Sequence, residues 1–111
     1  VELNESLLQD YREMSDEYAA AKAQRVYLEE FKKSQLAILM KAAEVKGFKT
    51  SAAQEREALA ADEYQHLLSG LRVAIEAEER VRYNMRRIEM EIEIWRTLRA
   101  DERIERKAYG A

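Results

Sequence analysis

Apolar side chains in the first part of the chain step by four, three, four and three residues, through Leu7, Tyr11, Met14, Tyr18 and Ala21. This is the rhythm of one helix stripe packed against another. The apolar list continues with Leu28, Phe31, Leu36, Leu39 and Ala43, but around "RVYLEEF" the stripe slips and apolar residues fall on more than one side. Such a slip signals either local unwinding or a second contact surface. The spacing predicts a helix over about residues 3–46. A cleaner stripe runs through the last segment: Leu67, Leu71, Ala74, Glu78, Val81, Met85, Ile88, Ile92, Trp95 and Arg99. It predicts a long helix over about residues 62–107.

Between the two lies "EVKGFKTSAAQ", residues 44–54. Gly47 stands where a helix C-cap glycine is expected, because glycine takes the left-handed conformation without steric cost. Lys41 and Lys46 are placed to meet the negative end of the helix dipole. Thr50 and Ser51 offer a new N-cap, and Ser51 with Gln54 has the spacing of a capping box. The turn is therefore expected at 47–50, with Phe48 tucked beneath it. Asp62 and Gln65 repeat the helix-start spacing. The segment after the turn thus reads either as a short helix over about 51–59 followed by the long one, or as one helix running through Ala60 and Ala61.

Two long helices of similar length joined by a short connection suit an antiparallel hairpin. Each has roughly 44 residues, about 65 Å as a helix. The expected fold is all-α: a single domain built as a coiled-coil-like two-helix hairpin with a short helix at the turn. Antiparallel packing brings Arg25, which interrupts the first stripe, near Glu78, which interrupts the second. A polar pair in an apolar seam costs stability and can fix register. A hairpin is thin, however, and a core this small seldom stabilises a domain alone. Val73, Tyr83, Met90, Ile94 and Leu98 lie off the seam of the long helix, and Val26 and Tyr27 lie off the first. Exposed apolar residues of this kind mark an interface. We expect a homo-oligomer, with Val73, Met90, Ile94 and Leu98 as its contact residues or as those of another partner.

Composition agrees with helices and removes several functions. The 111 residues contain no proline, three glycines and no cysteine, and 37% are charged, with a net charge of −3. Turn-rich β folds lack their turn residues here, and thiolate metal sites and disulfides are excluded. The longest apolar run, "LAILM", is far below the ~20 residues of a membrane span. The expectation is a soluble protein of the cytoplasm with no membrane partner.

Catalytic patterns are absent. No GxSxG, Walker or GxGxxG spacing occurs. Glu63 and His66 form one ExxH, the helix motif that gives two ligands to di-iron carboxylate bundles. Such a site needs a second ExxH and two more glutamates, so a plain helix start is the favoured reading. No cofactor, metal or enzymatic activity is expected. From Arg72 to Lys107 nearly all bases are arginine, which pairs with phosphates and stacks on bases. Nine acids share that stretch, so ion pairing on a solvated helix face is the simpler reading. The exception is "RVRYNMRR": if nucleic acid binds, Arg80, Arg82, Tyr83, Arg86 and Arg87 are its candidates. The N-terminal part is acidic, with Glu2, Glu5, Asp10, Glu13, Asp16 and Glu17 against Arg12. It could meet the arginine-rich end of the second long helix, or a basic partner surface.

The stretches "KGFKTSAAQERE" at the turn, "YQHLLSGLRVAIEAEE" at the entry to the long helix and "IEIWR" near its end resemble a group of small helical proteins of tailed bacteriophages and prophages. The resemblance spans roughly residues 20–100. It implies a gene beside early recombination genes, hence a non-enzymatic accessory to DNA recombination or replication in the bacterial host cell. It implies a phage or host DNA-metabolism protein as partner, and carries no catalytic motif. Direct nucleic-acid binding and inhibition of a host nuclease or defence complex are the alternatives.

Overall fold

The computed structural model describes residues 5–110 and, among them, contains three helices and no strand. Helix α1 spans Glu5–Val45, α2 spans Ser51–Ala60 and α3 spans Asp62–Ala108. The expected Leu3 start falls outside the described residues.

Helix α1 ends in a Schellman motif. The Phe48 N–H donates to the Ala43 carbonyl at 3.1 Å and the Gly47 N–H to the Glu44 carbonyl at 3.0 Å. Gly47 has φ +111°, a conformation that a Cβ disfavours. The last turn of α1 carries no basic residue, contrary to the expected role of Lys41 and Lys46, because the helix stops at Val45. The carbonyls of Ala42, Ala43 and Glu44 accept from backbone donors instead. Gly47→Ala is accordingly expected to destabilise the protein by about 1–2 kcal/mol, the cost of forcing a side chain into a left-handed backbone. Urea unfolding checks this.

Thr50, not Ser51, caps α2: its hydroxyl accepts from the Ala53 N–H at 3.1 Å. Gln54 does not close a box. Its Nε2 donates to the Phe48 carbonyl at 3.0 Å. Gln65 repeats the move at the start of α3, donating to the Leu59 carbonyl at 2.8 Å. Each glutamine reaches back six residues and ties a helix start to the segment before it. Between α2 and α3 the helix breaks at Ala61, whose φ −66° and ψ 143° are extended. Phe48 stays about one-third exposed.

The chain divides into two compact units. Among the described residues, one is formed by residues 5–19 together with residues 79–110, the other by Ala20–Glu78. In the unit Ala20–Glu78 the core is Ala43, Ala58, Tyr64, Leu71 and Ala74, with Glu78 buried among the polar residues. Beside Glu29, Leu36, Met40 and Ala43, the covered positions of α1 here include one continuous row, Ala21, Arg25, Leu28, Lys32, Gln35 and Leu39. Their four-three spacing does not slip, and α1 is unbroken. The apolar pattern leaves the stripe instead: Val26, Tyr27, Phe31 and Ile38 face solvent. The apparent slip therefore reflects apolar residues placed outside the packed face.

In the other unit Ile88 is the most buried side chain, at 3% exposure. Leu7, Met14 and Tyr18 of α1 and Val81, Met85, Ile92 and Trp95 of α3 are half-buried. From Arg96 to Gly110 every residue is exposed.

Candidate functional site

Two polar ties join α1 to α3, one in each unit. In the unit Ala20–Glu78, Arg25 donates from Nε to Glu78 Oε2, and from Nη2 to Glu78 Oε1 at 3.3 Å. Its Nη1 donates to Glu29 at 3.0 Å. The expected neighbourhood of Arg25 and Glu78 is thus a two-pronged ion pair. Glu78, followed by Glu29, raises the guanidinium's pKa above its ordinary value. In the other unit the Tyr11 hydroxyl donates to Glu89 Oε1 at 2.7 Å. That hydrogen bond, then burial, raises the Tyr11 pKa above 10.0.

The Tyr11 shift has a sign. A phenol whose folded pKa lies above its unfolded value contributes stability below about pH 10, and the contribution is lost as pH rises through the folded value. Stability should therefore fall from about pH 10 upward, and more steeply than in Tyr11→Phe. Chemical denaturation at pH 8 and pH 11 checks the difference.

All five candidate nucleic-acid residues, Arg80, Arg82, Tyr83, Arg86 and Arg87, are exposed on α3. They are not equivalent. Glu79 holds Arg82 in an ion pair and raises its pKa. Arg86 and Arg87 have no ion pair among the described residues. Tyr83, Arg87, Met90 and Ile94 follow one another at intervals of four, three and four, so they share one face of α3. Tyr83 and Met90 are each 61% exposed and Ile94 is 47% exposed. A shallow depression of about 300 Å³ on this face is lined by Arg86, Glu89, Met90, Glu93 and Ile94. Three of the nucleic-acid candidates, Tyr83, Arg86 and Arg87, and two of the interface candidates, Met90 and Ile94, therefore lie together. Leu98 is exposed further along the helix, and Val73, 59% exposed, belongs to the other unit.

Two side-chain arrangements go beyond the sequence reading, which places Tyr27 off the seam and offers a second contact surface at "RVYLEEF". Tyr27 and Phe31 stack with ring centroids 6.0 Å apart and planes 10° from parallel. With Ile38 they make an exposed apolar row on α1. The signal was the run "RVYLEEF", whose second apolar side is this row. Further on, Arg99 lies 5.4 Å over the Trp95 ring. Arg96, Arg103 and Arg106 complete an arginine-lined groove of about 350 Å³ with them. Glu93 pairs with Arg96, and Glu102 with Arg99 and Arg106, so two carboxylates balance half of the charge of its four arginines.

The acidic part of α1 is not neutralised. Glu5, Asp10, Asp16 and Glu17 are exposed and form no ion pair among the described residues. Glu2 lies outside them. Glu63 and His66 are exposed, and among the described residues no three metal-ligating side chains gather. No helix among the described residues is long and apolar enough to cross a membrane.

Comparison with protein-family models, curated proteins and solved structures finds no match to this chain.

Proposed function

We propose that the chain is a non-enzymatic interaction protein: an antiparallel coiled-coil hairpin that self-associates and presents an outer helix face to a protein partner. The ties Tyr11–Glu89 and Arg25–Glu78 support the hairpin, since the later α1 residue meets the earlier α3 residue. The observation that carries the partner reading is the stacked pair Tyr27 and Phe31, extended by Ile38, on the exposed side of α1. Exposed aromatic rows on a packed helix are interface material, because burying each ring on a partner is favourable. The resemblance to phage helical proteins directs the choice of partner to DNA recombination or replication, inside a bacterial host cell.

The test is capture of phage recombination proteins from infected cells, by the wild type and by Tyr27→Ala/Phe31→Ala. Capture of an annealing protein or exonuclease by the wild type alone supports the reading. Equal capture by both variants contradicts the assigned face.

A second reading has its own observation. The unpaired acids Glu5, Asp10, Asp16 and Glu17 favour an inhibitor of a host nuclease or defence complex that imitates the charge of DNA. It requires competition with DNA for that host protein. Direct nucleic-acid binding through Arg86 and Arg87 is the third reading. It is weakened by the acids that follow these residues, since phosphate binding needs positive charge without such neighbours.

A further inference from the structure

The charges of α3 are segregated around Ile88. Residues 80–87 hold Arg80, Arg82, Arg86 and Arg87 and no acid; residues 88–95 hold Glu89, Glu91 and Glu93 and no base. Exposed apolar residues sit in both blocks on one face, Tyr83 in the basic block and Met90 and Ile94 in the acidic one. A surface that is basic on one half and acidic on the other is complementary to itself when turned end for end. It meets a uniformly charged ligand badly, because one half always repels.

We infer that this face of α3 is a two-fold interface with a second copy of the chain, the two α3 helices antiparallel and centred between Ile88 and Glu89. An isologous interface places residue i on residue j and j on i. The helical intervals then set Tyr83 against Ile94 of the second copy and Arg87 against Met90, where the arginine's aliphatic stem covers the thioether. On the flank of this row, Arg86 falls on the same side as Glu93 of the second copy. Arg86 and Arg87 are exposed and have no ion pair within the chain among the described residues, so the interface supplies partners that folding leaves open. The apolar contacts give affinity. The charge blocks give direction, since a parallel pairing lays arginine on arginine and glutamate on glutamate.

This inference rests on the self-association part of the proposed function and is separable from it. Light scattering of the purified chain is expected to show a dimer. Arg86→Glu/Arg87→Glu and Glu91→Lys/Glu93→Lys are each expected to weaken dimerisation at least about tenfold, and an equimolar mixture of the two to recover it as a heterodimer. Circular dichroism confirms that each variant remains helical. A dimer unaffected by both variants overturns this interface and leaves self-association standing. A monomeric wild type overturns both, as does a monomer that binds a single-stranded oligonucleotide through Arg86 and Arg87.

Cross-linking reads the geometry without altering charge. The chain has no cysteine of its own. In Tyr83→Cys/Ile94→Cys the two positions lie about 16 Å apart along one helix, too far for a disulfide within it. Oxidation should join two chains, and the single variant Tyr83→Cys should not be joined. Cross-linking of the single variant would indicate a parallel pairing and overturn the inference.

Discussion

Arg25→Ala is expected to lower the unfolding midpoint by at least about 5 °C, and by more than Glu78→Ala does. The two partners stand in different surroundings. Glu78 is 6% exposed, so removing Arg25 takes the guanidinium from a carboxylate that water barely reaches. Arg25 is more open, its side chain 24% exposed against 8% for that of Glu78, so water compensates it better when its partner is removed. Replacing both with leucine should recover most of the loss, because a packed apolar pair avoids the desolvation cost of the ion pair. The double variant is also expected to lose definition of register, which the polar pair would otherwise penalise when the helices slide. Calorimetry of the two single variants and the double variant reads the first effect, and disulfide trapping across α1 and α3 the second. Additive effects of the single variants would show that the pair is not coupled.

Ile88→Ala should cost about 2–4 kcal/mol, the range for truncating a buried branched aliphatic side chain. Ile88 is 3% exposed and is the best-covered residue of its unit. Ile94 is two helical turns away and 47% exposed. Ile94→Ala should leave the stability of the isolated chain within about 0.5 kcal/mol of wild type. It should act on association instead. Denaturation at low and high protein concentration separates the two: Ile88→Ala shifts both curves, whereas Ile94→Ala chiefly removes the concentration dependence. A large loss from Ile94→Ala at low concentration would mean that this side chain packs within one chain.

The helix pattern and the stops were legible because they follow local rules. Gly47 marked the end of α1, and the regular spacing from Leu67 to Trp95 marked the covered face of α3. Arg25 and Glu78 were legible as well, each being a charge at a seam position. The identities of the caps were less so. Thr50 and Ser51 carry equivalent hydroxyls, and only the backbone at Thr50, extended at φ −98° and ψ 151°, selects between them. Gln54 and Gln65 had the spacing of box residues but reach past the cap to a carbonyl beyond it. Phe31 was misplaced because hydrophobicity was followed where geometry governs. The covered positions that follow it are Lys32, Gln35 and Leu36, two of them long polar side chains whose aliphatic stems suit a half-covered place. The arginine patch was legible as the run "RVRYNMRR", but the acidic block that follows it was not set against it. Summing charge over the whole of α3 conceals the order in which it is arranged, basic before Ile88 and acidic after it.

The most direct measurement of the central claim is the molar mass in solution by light scattering, across concentration and with a single-stranded oligonucleotide at low salt. The account predicts twice the 13.0 kDa chain mass, falling toward the monomer on dilution and unchanged by the oligonucleotide. A mass of one chain at every concentration, or a complex with the oligonucleotide that high salt dissolves, would contradict it.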